Sequence, residues 1–339
     1  MRLLPAGSWV AVVRLRSLGD IVLTTPALAA LKHWRPDLRL AYLAEPRWTA
    51  ALEGNPEIER IIPVPGNVAG RLAAAAQLRA LRPSLVAALH RGAAAAALTW
   101  ASGARWRAGY QGLRHGWALN VTVPPRPAPP GRRRWHTAEH VAALFESLGM
   151  PAADLGPARI FPDARAQAAV AARLRAAGIA GPYVFLNVFP REPAMRWAAA
   201  GYQSLAPWLR QRLGWAAVMA HPAGRPDSED QAVAAALRSA GAALLAPTSL
   251  AELIALIAGA EMVVGSDGGP LHLAAALGKP VVALFGPTDV DTWAPWRAPH
   301  RLLAAAATAV ALEEVRQAIE ALAREGRFLA QTGARPEAG

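Results

Sequence analysis

No cysteine occurs among the 339 residues, which excludes a disulfide framework, a thiolate metal site and a thiol nucleophile. Any chemistry therefore falls to carboxylates, imidazoles, hydroxyls and arginine. Lysine is nearly missing too: Lys32 and Lys279 are the only two, and arginine carries the formal charge of +12. Although 53% of the residues are hydrophobic, the longest apolar stretch, around Leu250 to Gly265, is broken by Glu252 and Glu261. It falls short of the ~18 uninterrupted apolar residues that mark a membrane span. Arg14, Arg16 and Asp20 interrupt the first apolar segment, which argues against a secretory leader and for a cytosolic chain. No G-x-G-x-x-G occurs, which counts against a dinucleotide oxidoreductase.

The basic balance that is present suits a phosphate-rich partner: a nucleotide, an anionic lipid surface or nucleic acid. Abundant Ala, Arg, Gly and Pro fit the coding bias of a GC-rich genome equally well, and the two readings stand level. Arg132-Arg133-Arg134-Trp135 is the sharpest basic cluster, but it is short and follows a proline-rich loop, so no nucleic-acid partner is expected.

Length alone points to two domains at roughly 150 residues each. Short apolar runs alternate with longer Ala/Leu-rich runs, the pattern of a parallel sheet covered by helices. Strands are predicted near Trp9–Leu15, Arg39–Leu43, Arg60–Pro63 and Leu85–Leu89, with helices near Thr25–Arg35, Gly70–Arg82 and Ala93–Ser102. The proline-rich run Val121 to Gly131 continues neither element. After a helix near Trp135–Leu148 and a Pro/Gly-bearing connection at Pro151 to Pro162, the alternation resumes. Strands then fall near Tyr183–Asn187, Trp215–Met219, Ala243–Leu245, Glu261–Gly265 and Val281–Phe285, and a last amphipathic helix near Leu312–Arg324. The expectation is an α/β fold of two Rossmann-like halves, residues 1–155 and 156–327, facing each other across a cleft, with a disordered tail at 328–339. The final helix is placed with the second half, with the option of packing back on the first.

Ligands of such sheets sit at the carboxyl ends of strands, where helix N-termini also point. Three post-strand segments therefore matter. Arg14 to Asp20 runs from the first strand into a helix, with Gly19 permitting close approach. Asp20 is either a general base or a helix cap. Ser266-Asp267-Gly268-Gly269-Pro270-Leu271-His272 is a strand, a glycine-rich turn and a helix start, whose amides suit a pyrophosphate, while His272 also reads as a packed residue. Asn187 to Trp197 offers Arg191 and Arg196 as forked phosphate donors. Asp289-Val290-Asp291 spells a D-x-D, discounted as a metal site because it lies beyond the last predicted strand. His136 and His140 are expected on one helical face at i, i+4, in a structural or acceptor-facing role.

Taken in order, these motifs resemble glycosyltransferase family 9, the ADP-heptose:lipopolysaccharide heptosyltransferases. Val13 to Asp20 with Thr25-Pro26-Ala27-Leu28 is similar to the family's amino-terminal signature, and Gly54-Asn55-Pro56-Glu57-Ile58 to the segment after it. Ser266 to Pro280 and Ala283 to Asp289 are similar to its most specific stretch. The resemblance implies a GT-B fold and an inverting, metal-independent sugar transfer needing no cofactor beyond a nucleotide-sugar co-substrate, ADP-heptose. It implies that Asp20 is the catalytic base, and that Arg14, Ser17, Gly19, His90 and Arg91 bind the acceptor. Arg191, Arg196, Glu229, Asp267, Gly268, Gly269 and His272 fall in the donor set, with Glu229 on the ribose hydroxyls. A lipid-linked or lipopolysaccharide-core acceptor at an anionic inner-membrane surface follows, with the chain cytoplasmic or peripheral there.

Three departures stand out. Met195 occupies the family's usual lysine position, Gly268 its small hydroxyl residue, and Leu89-His90-Arg91-Gly92 an acidic-x-Gln-Gly segment. Two other readings remain open: a sugar-nucleotide epimerase or hydrolase of GT-B-like fold, and a non-catalytic nucleotide-binding paralogue.

Overall fold

The alternation of strand and helix builds the same sheet twice. A computed structural model describes residues 1–112, 114–190, 195–222, 228–304 and 309–332, with the backbone alone at 222, 228, 246–248, 304 and 327–332. It divides into two units, Met1–Phe161 and Pro162–Gly339. The first unit runs β1 (Trp9–Val13), α1 (Leu18–Val22), α2 (Thr25–Trp34), β2 (Arg39–Ala44), β3 (Arg60–Pro63), α3 (Val68–Ala80), β4 (Leu85–Ala88), α4 (Ala93–Ala101), β5 (Trp106–Tyr110), β6 (Val121–Val123) and α5 (Thr137–Ser147). The second runs α6 (Ala164–Ala176), β7 (Tyr183–Asn187), α7 (Ala199–Leu213), β8 (Ala216–Pro222), α8 (Ser228–Ser239), β9 (Ala243–Thr248), α9 (Leu250–Gly259), β10 (Met262–Ser266), α10 (Gly269–Ala276), β11 (Val281–Phe285), α11 (Val290–Trp293), β12 (His300–Ala304) and α12 (Leu312–Thr332).

Strand order in the first sheet is β3-β2-β1-β4-β5-β6, and in the second β12-β11-β10-β7-β8-β9. Read from the far edge, the second repeats the first, and the pairs are parallel throughout. Order reverses between β1 and β4 and again between β7 and β10, the two points at which a crevice opens at the carboxyl ends. Strands β4, β7, β10 and β11 are buried along their whole length, which is why they read as unbroken apolar runs.

Three strands were not legible in advance. β5 starts with the exposed Trp106 and the half-buried Arg107, and contains Gly109, where a Cβ would lie 2.8 Å from the Leu119 side chain and 3.2 Å from the Ala88 carbonyl oxygen. Glycine is there for close approach, and it dilutes the strand signal. β6 is three residues at the sheet edge, where the following Pro124 is tolerated because no outer ladder needs its donor. β12, at the edge of the second sheet, begins His300-Arg301, and its Leu302-Leu303-Ala304 runs straight into further alanines in the sequence, so nothing marks it off as a strand. The last helix reaches Thr332, well past Arg324, and buries Val315, Ile319 and Leu322 in the core of the second unit. Those positions form one stripe at helical spacing.

Candidate active site

In the first unit the switch point is wired by charge. Arg14 follows β1, and its guanidinium donates to the Leu89 carbonyl after β4 while pairing with the Asp20 carboxylate. One side chain thus joins the ends of both strands to α1. Asp20 also accepts from the Ser17 amide at 3.2 Å and the Ser17 hydroxyl at 2.9 Å, so it caps α1 and engages in an ion pair at once. Its side chain keeps 14% of its surface exposed, enough for a hydroxyl to reach it. Gly19 is buried in the first turn of α1.

His90 and the exposed Arg91 follow β4 and line a small hollow with His115 and Leu119. Burial lowers the His90 pKa, Arg14 and Arg16 lower it further, and Asp20 and Glu45 oppose them. His140 on α5 stacks on Tyr110 with ring centroids 4.1 Å apart, and the Tyr110 hydroxyl donates to the His140 carbonyl. Burial also lowers the His140 pKa, with Arg91 and Arg14 adding to it. Sequence reasoning missed Tyr110, which lies on the unrecognised β5. It also misplaced His136, which is not on the helical face with His140. That residue is the N-cap of α5, where Nδ1 accepts from the Ala138 amide at 3.2 Å and Glu139 completes a capping box.

In the second unit the switch point is built from backbone and small groups. Gly265 on β10 pairs with Asn187 on β7, and a Cβ there would lie 2.4 Å from the Asn187 carbonyl oxygen. The Asn187 amide donates to the Ser266 carbonyl at 2.8 Å, and the Ser266 hydroxyl accepts from the Trp197 amide at 3.2 Å. Gly268 and Gly269 then open α10, with Pro270 at its second position. First-turn amides of a helix lack intrahelical acceptors and sit at the positive end of its dipole. A Cβ on Gly268 would find nothing nearer than 3.8 Å, so the turn leaves room beside it. Asp267 is buried next to it. Burial raises its pKa, against hydrogen bonds from the Thr288 side chain and the Gly268 backbone. His272 is buried with its ring 6.1 Å from that of Trp293.

Arg196 is buried, and its guanidinium holds Glu229 at 2.8 Å and the fully buried Asp230. The structure thus brings Arg196 and Glu229 together, and adds Asp230, which sequence reasoning did not single out. Adjacent acids opening α8 were the available signal. Arg191 lies outside the described residues, and Met195 is half-buried. Asp289 of the D-x-D caps α11, accepting from the Thr292 amide at 3.3 Å.

Glycosyltransferase family 9 (heptosyltransferase) matches this chain over residues 71–320. The chain belongs to that family. It is therefore a glycosyltransferase, and its paired parallel sheets are the α/β architecture of the GT-B class. Lipopolysaccharide heptosyltransferase 3 of Escherichia coli is 28% identical over 300 residues, 83% of either chain. A family 9 glycosyltransferase from Veillonella parvula superimposes with a TM-score of 0.83 at 21% identity, over 95% of this chain and 99% of that one. Escherichia coli ADP-heptose lps heptosyltransferase II gives 0.79 at 22% identity, over 96% and 99%. Neither the epimerase nor the non-catalytic reading gains support from these family members.

Proposed function

We propose that this chain transfers heptose from ADP-heptose to a lipopolysaccharide-core or related glycan acceptor, with inversion and without a metal. The family match across 71–320 carries the reading, together with a part-exposed Asp20 in the first turn of α1. The first unit takes the acceptor and the second the donor. The Asp20 carboxylate removes the proton of the acceptor hydroxyl as its oxygen attacks the anomeric carbon, and the bond from that carbon to the diphosphate breaks. Arg14 and Ser17 fix the carboxylate, while Gly19, His90 and Arg91 border the acceptor.

The leaving diphosphate meets the amides of Gly268 and Gly269 and the dipole of α10, so charge is stabilised by donors already in place. Arg191, outside the described residues, is assigned with Asp267 and His272 to the donor sugar and nucleotide. Arg196 holds Glu229, whose side chain is 62% exposed, and the ribose hydroxyls donate to that carboxylate. Arg196 acts through that contact in this reading, its guanidinium being committed to two carboxylates. Among the described residues no helix is long and apolar enough to cross a membrane, and the acceptor is reached from the inner-membrane surface, on its cytoplasmic side.

Thermal melting with ADP-heptose tests donor binding: at 100 times the dissociation constant the ligand adds about 2.7 kcal/mol. Product analysis then follows with and without a lipid acceptor. Heptosylated acceptor is expected, and equal donor consumption without acceptor would replace transfer by hydrolysis or rearrangement.

A further inference from the structure

The whole net charge of the chain resides in one stretch of its first unit. Between Glu59 and Glu139 stand twelve arginines and no acidic residue, whereas the remainder has as many bases as acids. Coding bias explains why the bases are arginine, but the same bias admits 24 acids elsewhere, so it does not explain their absence here. This stretch also contains five of the six large apolar side chains that stand exposed among the described residues. They are Val68 at 72%, Leu72 at 66%, Trp100 at 61%, Trp106 at 40% and Trp117 at 62%.

Packing gathers them. α3 lies on α4, and α4 lies on the short 3-10 turn Gly116–Ala118. The rings of Trp100 and Trp117 are 6.5 Å apart. Arg79 at the end of α3 donates to the Ala101 carbonyl at 3.5 Å, and Arg105 lies over the Trp106 ring at 5.2 Å. Val68, Leu72 and Arg79 are spaced by four and seven residues, one stripe of α3. Neighbouring exposed indoles are costly in water, and the chain around them is net positive. They suit the boundary between water and hydrocarbon, where a tryptophan buries its ring and keeps its N–H wet, and an arginine extends to a phosphate.

We propose that this face of the first unit docks on an anionic phospholipid bilayer, with Trp100 and Trp117 entering the headgroup boundary and the surrounding arginines meeting lipid phosphates. It rests, for its purpose, on the membrane-borne acceptor of the reading above, and it names the surface that reading leaves open. The test needs no substrate. The full chain is sedimented with vesicles of phosphatidylcholine alone and of phosphatidylcholine with phosphatidylglycerol, across a salt series. Parent protein is expected on the anionic vesicles and to dissociate as salt rises.

Trp100→Ser/Trp117→Ser should lower the partition about tenfold or more, as loss of two interfacial indoles requires. Arg79→Glu/Arg105→Glu should lower it and flatten the salt dependence, whereas Leu3→Ser, 93% exposed outside this face, should bind as the parent does. Circular dichroism checks that each variant is folded. Unchanged binding by the Trp variant, equal binding to zwitterionic vesicles, or loss of self-association in place of vesicle binding would each overturn the proposal. The Trp variant should still glycosylate a delipidated acceptor fragment at the parental rate. Failure of transfer in the parent would therefore count against the enzymatic reading while leaving the vesicle result intact.

Discussion

The two switch points share a topology and differ in material. At the first, between β1 and β4, charged side chains hold the loops: Arg14 ties Leu89 to Asp20, and His90 and Arg91 stand beside them. At the second, between β7 and β10, backbones approach so closely that Gly265 has no room for a methyl group, and an amide and a hydroxyl complete the wiring. One fold thus offers two kinds of site, one tuned by charge and one by space. Substitutions in the first should register in chemistry, and substitutions in the second in stability.

The largest effect should come from Asp20→Asn. The amide has nearly the same shape but one acceptor oxygen in place of two, so it keeps either the Ser17 or the Arg14 contact and takes no proton; kcat should fall by about 10²- to 10⁴-fold, the usual worth of a general base. Donor binding, read by thermal melting with ADP, should be unchanged. Parental turnover would remove Asp20 from the reaction and with it the contrast between the two sites.

Next is Gly265→Val. Its Cβ would sit 2.4 Å from a backbone oxygen and 2.7 Å from the Asn187 Cβ, neither of which is the free end of a side chain. Overpacking of this kind costs about 1–3 kcal/mol, and the backbone partner places it at the upper end. Chemical denaturation should show the loss, and parental stability would mean that the strands part easily and that space does not limit the second site.

Much of this contrast was legible before any coordinates. The central strands β1, β4, β7, β10 and β11 read clearly because burial on both faces demands continuous apolar residues. β5, β6 and β12 did not, because edge strands and glycine-bearing strands carry no such demand. The glycine turn at 268–269 and Asp20 were visible as motifs after strands. Their partners were not: Arg196 finds Asp230 thirty-odd residues away, and Arg14 finds Leu89 across the sheet. Such pairings are properties of the packed chain, which no local spacing encodes. Asp20 further shows that a helix cap and a site residue need not be alternatives, since one carboxylate serves both positions.

A smaller and pH-dependent effect is expected at Asp267. Burial raises its carboxyl pKa above the value in the unfolded chain, so the folded state binds the proton more tightly. Stability contributed by this group is therefore fullest in acid and declines as pH rises through the folded pKa. Asp267→Asn removes that decline. At neutral pH the variant should be more stable than the parent by up to about 1 kcal/mol, the scale of gain on relieving a strained functional site, with weaker donor binding as the counterpart. Melting curves from neutral pH down to below the ordinary aspartate range should show the difference closing. A difference that widens in acid would reverse the assignment.

The smallest effect should be that of Gly268→Ser, which installs a hydroxyl at the position where this chain departs from its family. Gly268 sits in extended backbone with φ 161, open to any residue. The nearest atoms to an added Cβ are the Asn187 amide nitrogen and the Pro270 Cδ, both at 3.8 Å, an ordinary contact distance. Stability should stay within about 0.5 kcal/mol of the parent. The contrast with Gly265, three residues earlier on β10, is sharp: one glycine is required by a backbone oxygen, the other by no atom nearer than ordinary contact distance. If Gly268→Ser tightens ADP binding without moving the melting temperature, the open space at that turn belongs to the ligand. Destabilisation as large as that of Gly265→Val would instead make both glycines structural.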